Sequence, residues 1–192
     1  MVDRTLSSQG QVIWITGLSG AGKTSIAGRV VEQLRAGTTA ILLDGDVVRQ
    51  IVADPNTGHD AESRLVNARR ICRMAQVLAA QGLTVVVATM SLFREIHAWN
   101  RRNLPGYFEV YLKVDLEVLR ARDPKGLYSR SNCGDEGHLV GVDIPYEEPL
   151  HPDLVIGNNG SADDIAEIAA RIVVAAQGVA AREQKNGMRR AG

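Results

Sequence analysis

The sequence predicts an α/β domain built round a mostly parallel sheet. Short β-rich runs alternate with longer helical ones along most of the chain, the pattern of strands joined by crossover helices. A glycine-rich loop lies directly between the first strand and the first helix. The 192 residues are 45% hydrophobic and 23% charged, close to the globular average and enough for one domain with an insertion.

Each element follows from local signals. Gln11–Thr16 reads as a buried first strand, and the helix after the glycine-rich loop runs from about Lys23 to Arg35, ended by Gly37. Ala40–Leu43 is a second strand that runs out into Asp44-Gly45-Asp46. Residues 60–81 carry Leu65, Ala68, Cys72, Ala75 and Ala79 at steps of three and four, one apolar helical face. Asp60 suits its N-cap and Gly82 its C-terminal stop. Leu83–Ala88 is apolar almost throughout, as a central parallel strand is. Phe93–Asn103 reads as a helix, Tyr107–Val114 as a strand and Leu116–Arg122 as a short helix. Asp153–Ile156 and Ala162–Ala180 complete the pattern as a last strand and a last helix.

Between Asp123 and about Pro152 no period is sustained, and glycine and proline recur. So long an irregular stretch in a compact domain reads as a functional segment, here a lid over 123–152. The expected organisation is a single domain over 10–182 and a polar, frayed tail over 183–192.

Composition narrows the function. Lys+Arg and Asp+Glu both number 22, which removes the usual electrostatic argument for a nucleic-acid partner. No apolar run reaches the length of a membrane span, and Met1–Gly10 lacks the apolar core of a signal peptide. Cys72 and Cys133 stand far apart, outside any metal-type spacing, so the cytoplasm is the expected compartment. Cys133 and His138 read as loop residues. His59, His97 and His151 stand isolated, Cys72 falls on a core face, and Trp14 and Trp99 read as packing residues.

The strongest motif is Gly17-Leu18-Ser19-Gly20-Ala21-Gly22-Lys23-Thr24, which fits G-x-x-x-x-G-K-[ST]. Such a loop turns backbone N–H groups towards nucleotide phosphates. Lys23 then reaches the β- and γ-phosphates, and Thr24 offers its hydroxyl to Mg²⁺. A strand directly before and a helix directly after give it the context its mechanism requires, with the helix N-terminus facing the anion. This predicts nucleoside triphosphate binding.

Asp44 and Asp46 follow the second strand, and ligands of open α/β sheets bind at the carboxyl ends of strands. One carboxylate can hold Mg²⁺ through water, and the other can take a proton from an attacking hydroxyl. An ordinary Asp-Gly turn is the bland alternative. Arg49 and Arg64 flank the loop after this strand and suit an anionic second substrate, because the planar guanidinium binds phosphate at two points. Arg69 and Arg73 read as a solvated helix face.

These pieces, taken together, resemble the adenylylsulfate kinase (APS kinase) family from about Val12 to Asn158. The resemblance rests on the phosphate loop; on Asp44-Gly45-Asp46 with Arg49; on Arg64, Asn67 and Arg70; and on Ser91 with Arg94. It rests further on Arg122-Asp123-Pro124-Lys125-Gly126-Leu127-Tyr128 and Gly141-Val142-Asp143-Ile144-Pro145-Tyr146-Glu147. It implies the three-layer fold of phosphate-loop NTPases with a lid insertion. It also implies transfer of the γ-phosphoryl of MgATP to the 3′-hydroxyl of adenosine 5′-phosphosulfate (APS), by a homodimer.

By the same resemblance, Asp46 meets the 3′-hydroxyl, with Asp44 near the metal. Arg49, Arg64, Asn67 and Ser91 belong to the acceptor site. Ser91 matches a serine implicated in a phosphoenzyme in some members, with direct in-line transfer the simpler scheme. Lys125 is a lid lysine near the transferring phosphate, and Arg122 packs on the ATP base.

The chain departs from the family at the acceptor clamp. Where two phenylalanines enclose the adenine, this sequence has His59 and Leu139, and the Ser-Pro-Tyr-Arg loop reads Ser91-Leu92-Phe93-Arg94. Asp44-Gly45-Asp46-Val47, Gly58-His59 and Ser91-Leu92-Phe93 with Trp99-Asn100-Arg101 resemble a branch that acts on cytidine diphosphoramidate in capsule synthesis, so that acceptor is the alternative. A non-catalytic nucleotide switch is a further one, although the Asn-Lys-x-Asp string of guanine-specific switches is absent.

Overall fold

The computed structural model describes residues 10–53, 58, 60–123, 126, 140, 146–160 and 164–190, the last nine of these by backbone alone. Five parallel strands form one sheet: β1 (Val12–Thr16), β2 (Ala40–Asp44), β3 (Thr84–Ala88), β4 (Phe108–Lys113) and β5 (Leu154–Gly157). Their order is β2-β3-β1-β4-β5, with every neighbouring pair parallel. The helices are α1 (Lys23–Leu34), α2 (Gly45–Val52), α3 (Ala61–Ala79), α4 (Arg94–Asn103), α5 (Leu116–Arg122) and α6 (Ile165–Arg190).

The three layers can be read along β1. Its side chains alternate between two faces, as strand geometry requires. Ile13 and Ile15 pack with Ile26, Val30 and Leu34 of α1 and with Ile168 and Ile172 of α6. Val12 and Trp14 pack on the opposite face with Ile71, Cys72 and Ala75 of α3 and Ile96 of α4. All five β1 residues are buried, so truncating Ile13 or Ile15 to alanine costs about 2–5 kcal/mol.

This layering positions the site. β1 leads into α1 on one face, while its neighbour β3 leads to α4 on the other. The loops leaving their carboxyl ends therefore diverge and open a crevice between them.

Most boundaries agree with the sequence reading within a residue or two. Asp60 caps α3 as expected: its Oδ1 accepts from the Ser63 N–H at 2.9 Å and its Oδ2 from the Ser63 hydroxyl at 2.8 Å. These bonds hold its carboxyl below the usual carboxylate range. Cys72 is core, and burial pushes its thiol up to about 12. Trp14 is fully buried, as a packing residue.

Three features go beyond the sequence reading. Asp44-Gly45-Asp46 opens a helix rather than a simple turn, because Asp44 Oδ1 accepts from the N–H groups of Asp46 (2.9 Å) and Val47 (3.4 Å). Gly45 permits the close approach to β3, since a Cβ there would lie 2.7 Å from Thr89 Oγ1. The backbone is helical through 183–190. Ala, Arg, Glu, Gln and Lys dominate 180–185 and extend a helix without needing burial. His97 is not isolated: it is buried against the Glu109 carboxylate, which also pairs with Arg101 at 3.2 Å.

Candidate active site

The phosphate loop spans the turn from β1 to α1. Leu18 and Ala21 are buried and plug the loop into the core, while Ser19 and Gly20 remain partly open. Gly22 is the N-cap of α1 at φ 88°, and a Cβ there would lie 2.9 Å from Asn158 Nδ2. Both the left-handed backbone and the crowding call for glycine. With no side chain capping the helix, its first N–H groups keep their donors for an anion. Lys23 Nζ donates to the Leu18 carbonyl at 2.7 Å, which folds the lysine back over the loop.

One carboxylate joins this loop to the next element. The Thr24 hydroxyl donates to Asp44 Oδ2 at 2.7 Å, while Asp44 Oδ1 caps α2. Asp44 is mostly buried and Asp46, in the first turn of α2, is exposed. A hydroxyl beside a carboxylate is a hard oxygen donor set of the kind Mg²⁺ takes together with phosphate oxygens and water.

The arginines come next in this chain of contacts. Arg64 is half-buried in α3 and feels Arg49, Asp46 and Asp60 electrostatically. Burial and the neighbouring Arg49 cation lower its pKa, against the opposing pull of Asp46 and Asp60. Arg49 donates to the Gly58 carbonyl at 2.6 Å. Two guanidinium groups set this close favour an anion between them. Asn67 is buried, and its Nδ2 donates to the Gly45 carbonyl at 3.4 Å while its Oδ1 makes no protein hydrogen bond. Beside Arg64, a recess is lined by Met90, Leu92, Phe93, Val140 and Tyr146.

Not every candidate residue meets at this crevice. Ser91 is 1% exposed, and its hydroxyl accepts from the Trp14 indole N–H at 3.2 Å. Arg122 donates to the Gly160 carbonyl at 2.5 Å, joining α5 to the loop after β5. His59, Lys125 and Leu139 lie outside the described residues.

Asn158 is the site residue that sequence reasoning gives no role. It is buried at the end of β5, and its Nδ2 donates to the Ala21 carbonyl at 2.9 Å. Its own N–H donates to the Lys113 carbonyl at 3.1 Å. It thus ties an edge strand to the phosphate loop. The only local hint is an Asn-Asn-Gly string after an apolar run.

The adenylylsulphate kinase family model matches residues 9–157. An adenylyl-sulfate kinase from Synechococcus sp. is 40% identical over 151 residues, which cover 78% of this chain and 86% of the relative. A cytidine diphosphoramidate kinase from Campylobacter jejuni is 39% identical over 149 residues, covering 77% and 86%. Among solved structures, the Mycobacterium tuberculosis APS kinase in complex with AMPPNP and APS has a TM-score of 0.80 to this chain at 34% identity. That match covers 88% of this chain and 98% of the other.

Proposed function

The chain belongs to the adenylylsulphate kinase family, and we propose that it transfers the γ-phosphoryl of ATP to the ribose 3′-hydroxyl of APS. The observation that carries this reading is the unbroken series from the phosphate loop through Thr24, Asp44 and Asp46 to Arg64. A donor phosphate and an anionic acceptor can sit at its two ends with a carboxylate between them.

In this scheme the loop amides of Gly17–Thr24 and the Lys23 ammonium bind the β- and γ-phosphates. Thr24 and Asp44 would hold Mg²⁺, which when bound would neutralise charge on the phosphates. Arg49, Arg64 and Asn67 hold the acceptor's anionic end. Asp46 takes the proton of the 3′-hydroxyl as its oxygen attacks the γ-phosphorus, the bond from that phosphorus to the β–γ bridging oxygen breaks, and ADP leaves. Lys125 meets the transferring phosphate from the lid, and Arg122 packs on the ATP base. Transfer is direct: the Ser91 hydroxyl is enclosed and engaged by Trp14, so Ser91 positions the acceptor loop rather than carrying phosphate. The enzyme works as a homodimer in the cytoplasm, where ATP is supplied.

A second reading keeps the chemistry and changes the acceptor to cytidine diphosphoramidate. His59 and Leu139, in place of two phenylalanines, favour it, since a smaller base needs a less aromatic clamp. Offering MgATP with equal APS and cytidine diphosphoramidate, and weighing the products, separates the two. 3′-Phosphorylated APS is expected to dominate. Dominance of the cytidine product would install the second reading, and release of ADP with neither product would reject both.

A further inference from the structure

Trp14 sits in the middle of β1 with no surface exposed, in register with Val87 of β3 and Glu109 of β4. Its ring packs with Ile71, Cys72 and Ala75 of α3 and lies 6.5 Å from the Tyr107 ring, tilted by 55°. Tyr107 is itself fastened: its hydroxyl donates to Glu109 Oε1 at 3.2 Å and accepts from Asn100 Nδ2 at 3.4 Å. An aliphatic side chain would fill this volume and leave no polar group to satisfy. The indole brings an N–H that needs a partner when buried, and the partner is the Ser91 hydroxyl at 3.2 Å.

Ser91 lies inside the loop between β3 and α4, which is also held at both ends. At its start, the Thr89 N–H donates to the Ile15 carbonyl at 3.2 Å, and Thr89 fits against Gly45 at the head of α2. At its end, the Leu92 carbonyl accepts from the Glu147 N–H at 3.3 Å, and the Arg94 N–H donates to Glu147 Oε2 at 3.0 Å. The Trp14 bond fastens the middle of the loop to the core. β1 in turn runs on through Ile15 and Thr16 into the phosphate loop. One strand therefore fixes two loops, the first by chain continuity and the second by a side-chain hydrogen bond.

We propose that Trp14 is a positioning residue for the transfer: through its indole N–H and Ser91 it holds the acceptor loop in place relative to the phosphate loop. The proposal rests on the nucleotide 3′-kinase reading above, which puts Ser91 in the acceptor site. In-line transfer is sensitive to this relation, since a misplacement of about 1 Å costs ~10²-fold in rate. The phosphate loop keeps its own ties through Lys23 and Asn158, so loss of the Trp14 bond falls on the acceptor side.

The test is a double-mutant cycle on the full chain, with MgATP and APS varied in turn. Trp14→Phe keeps a ring and removes the N–H; Ser91→Ala removes the acceptor. Each is expected to lower kcat/KM for APS about fivefold or more while KM for ATP moves less than about twofold. The double variant falls no more than about twofold below the worse single, because both remove the same bond. Losses that multiply in the double variant overturn the proposal, as does a Ser91→Ala value within about twofold of wild type. An equal rise in both Michaelis constants also overturns it and assigns Trp14 to packing alone. Should Trp14→Phe fail to fold, Ser91→Ala is paired with the ¹⁵N-indole spectrum: the Trp14 N–H resonance shifts when Ser91 loses its hydroxyl, and an unmoved resonance overturns the proposal. Failure of the underlying reading looks different: the wild-type chain then forms no 3′-phosphorylated nucleotide at all.

Discussion

The Thr24 hydroxyl donates to Asp44 Oδ2 at 2.7 Å while the other oxygen of the same carboxylate caps α2. One side chain thus sets the phosphate loop and the start of the helix that carries Asp46 against each other. The two jobs can be separated by substitution. Asp44→Asn retains an N-cap of comparable quality, so its melting temperature stays near wild type while the Mg²⁺ concentration for half-maximal rate rises. Asp44→Ala loses the cap as well and costs about 0.5–2 kcal/mol, measured by urea unfolding.

Lys23→Ala removes the ammonium that reaches the transferring phosphate. Its turnover falls by about 10²–10³ with any acceptor. Unchanged far-ultraviolet circular dichroism distinguishes this loss from unfolding.

Asp46→Asn keeps the hydrogen-bonding shape but not the base. Binding of an ATP analogue by calorimetry stays near wild type, and kcat drops by about 10²–10⁴. Turnover at the wild-type rate would remove Asp46 from proton transfer.

Asn158→Ala deletes the donor to the buried Ala21 carbonyl. An unsatisfied buried acceptor costs about 1–3 kcal/mol, and the loosened loop raises KM for ATP more than KM for the acceptor. A stability loss with unchanged KM for ATP would confine Asn158 to the scaffold.

Cys72 is held neutral by burial, its thiol pushed up to about 12. Only the thiolate alkylates, so iodoacetamide at pH 8 leaves Cys72 unmodified in the native protein and labels it in urea, read by peptide mass. The linkage has a definite sign. The folded state retains a proton that the unfolded thiol loses, so this group's contribution to stability falls as pH rises from about 9 to about 12.

How much of this was legible in the sequence depends on how local each signal is. The phosphate loop is eight consecutive residues whose backbone carries the chemistry, so motif and neighbouring elements suffice. The apolar face of α3 and its Asp60 cap are likewise contained in one segment. α2 was hidden because Asp-Gly is ambiguous between a turn and a capped helix start. What decides it is the Asp44 cap together with the fit of Gly45 against Thr89, just past the end of β3. The pairing of His97 with Glu109 joins a helix to a strand and leaves no periodic trace. The recess is more dispersed still: Arg64, Phe93 and Tyr146 come from three segments that only the sheet order brings together.

The most direct test of the central claim follows the phosphoryl group itself. Incubating the protein with Mg²⁺, γ-³²P-labelled ATP and APS, then mapping the label, should place it on the acceptor's 3′-oxygen, in amounts equal to the ADP formed. Label appearing only as inorganic phosphate, with the acceptor recovered unchanged, would contradict the account.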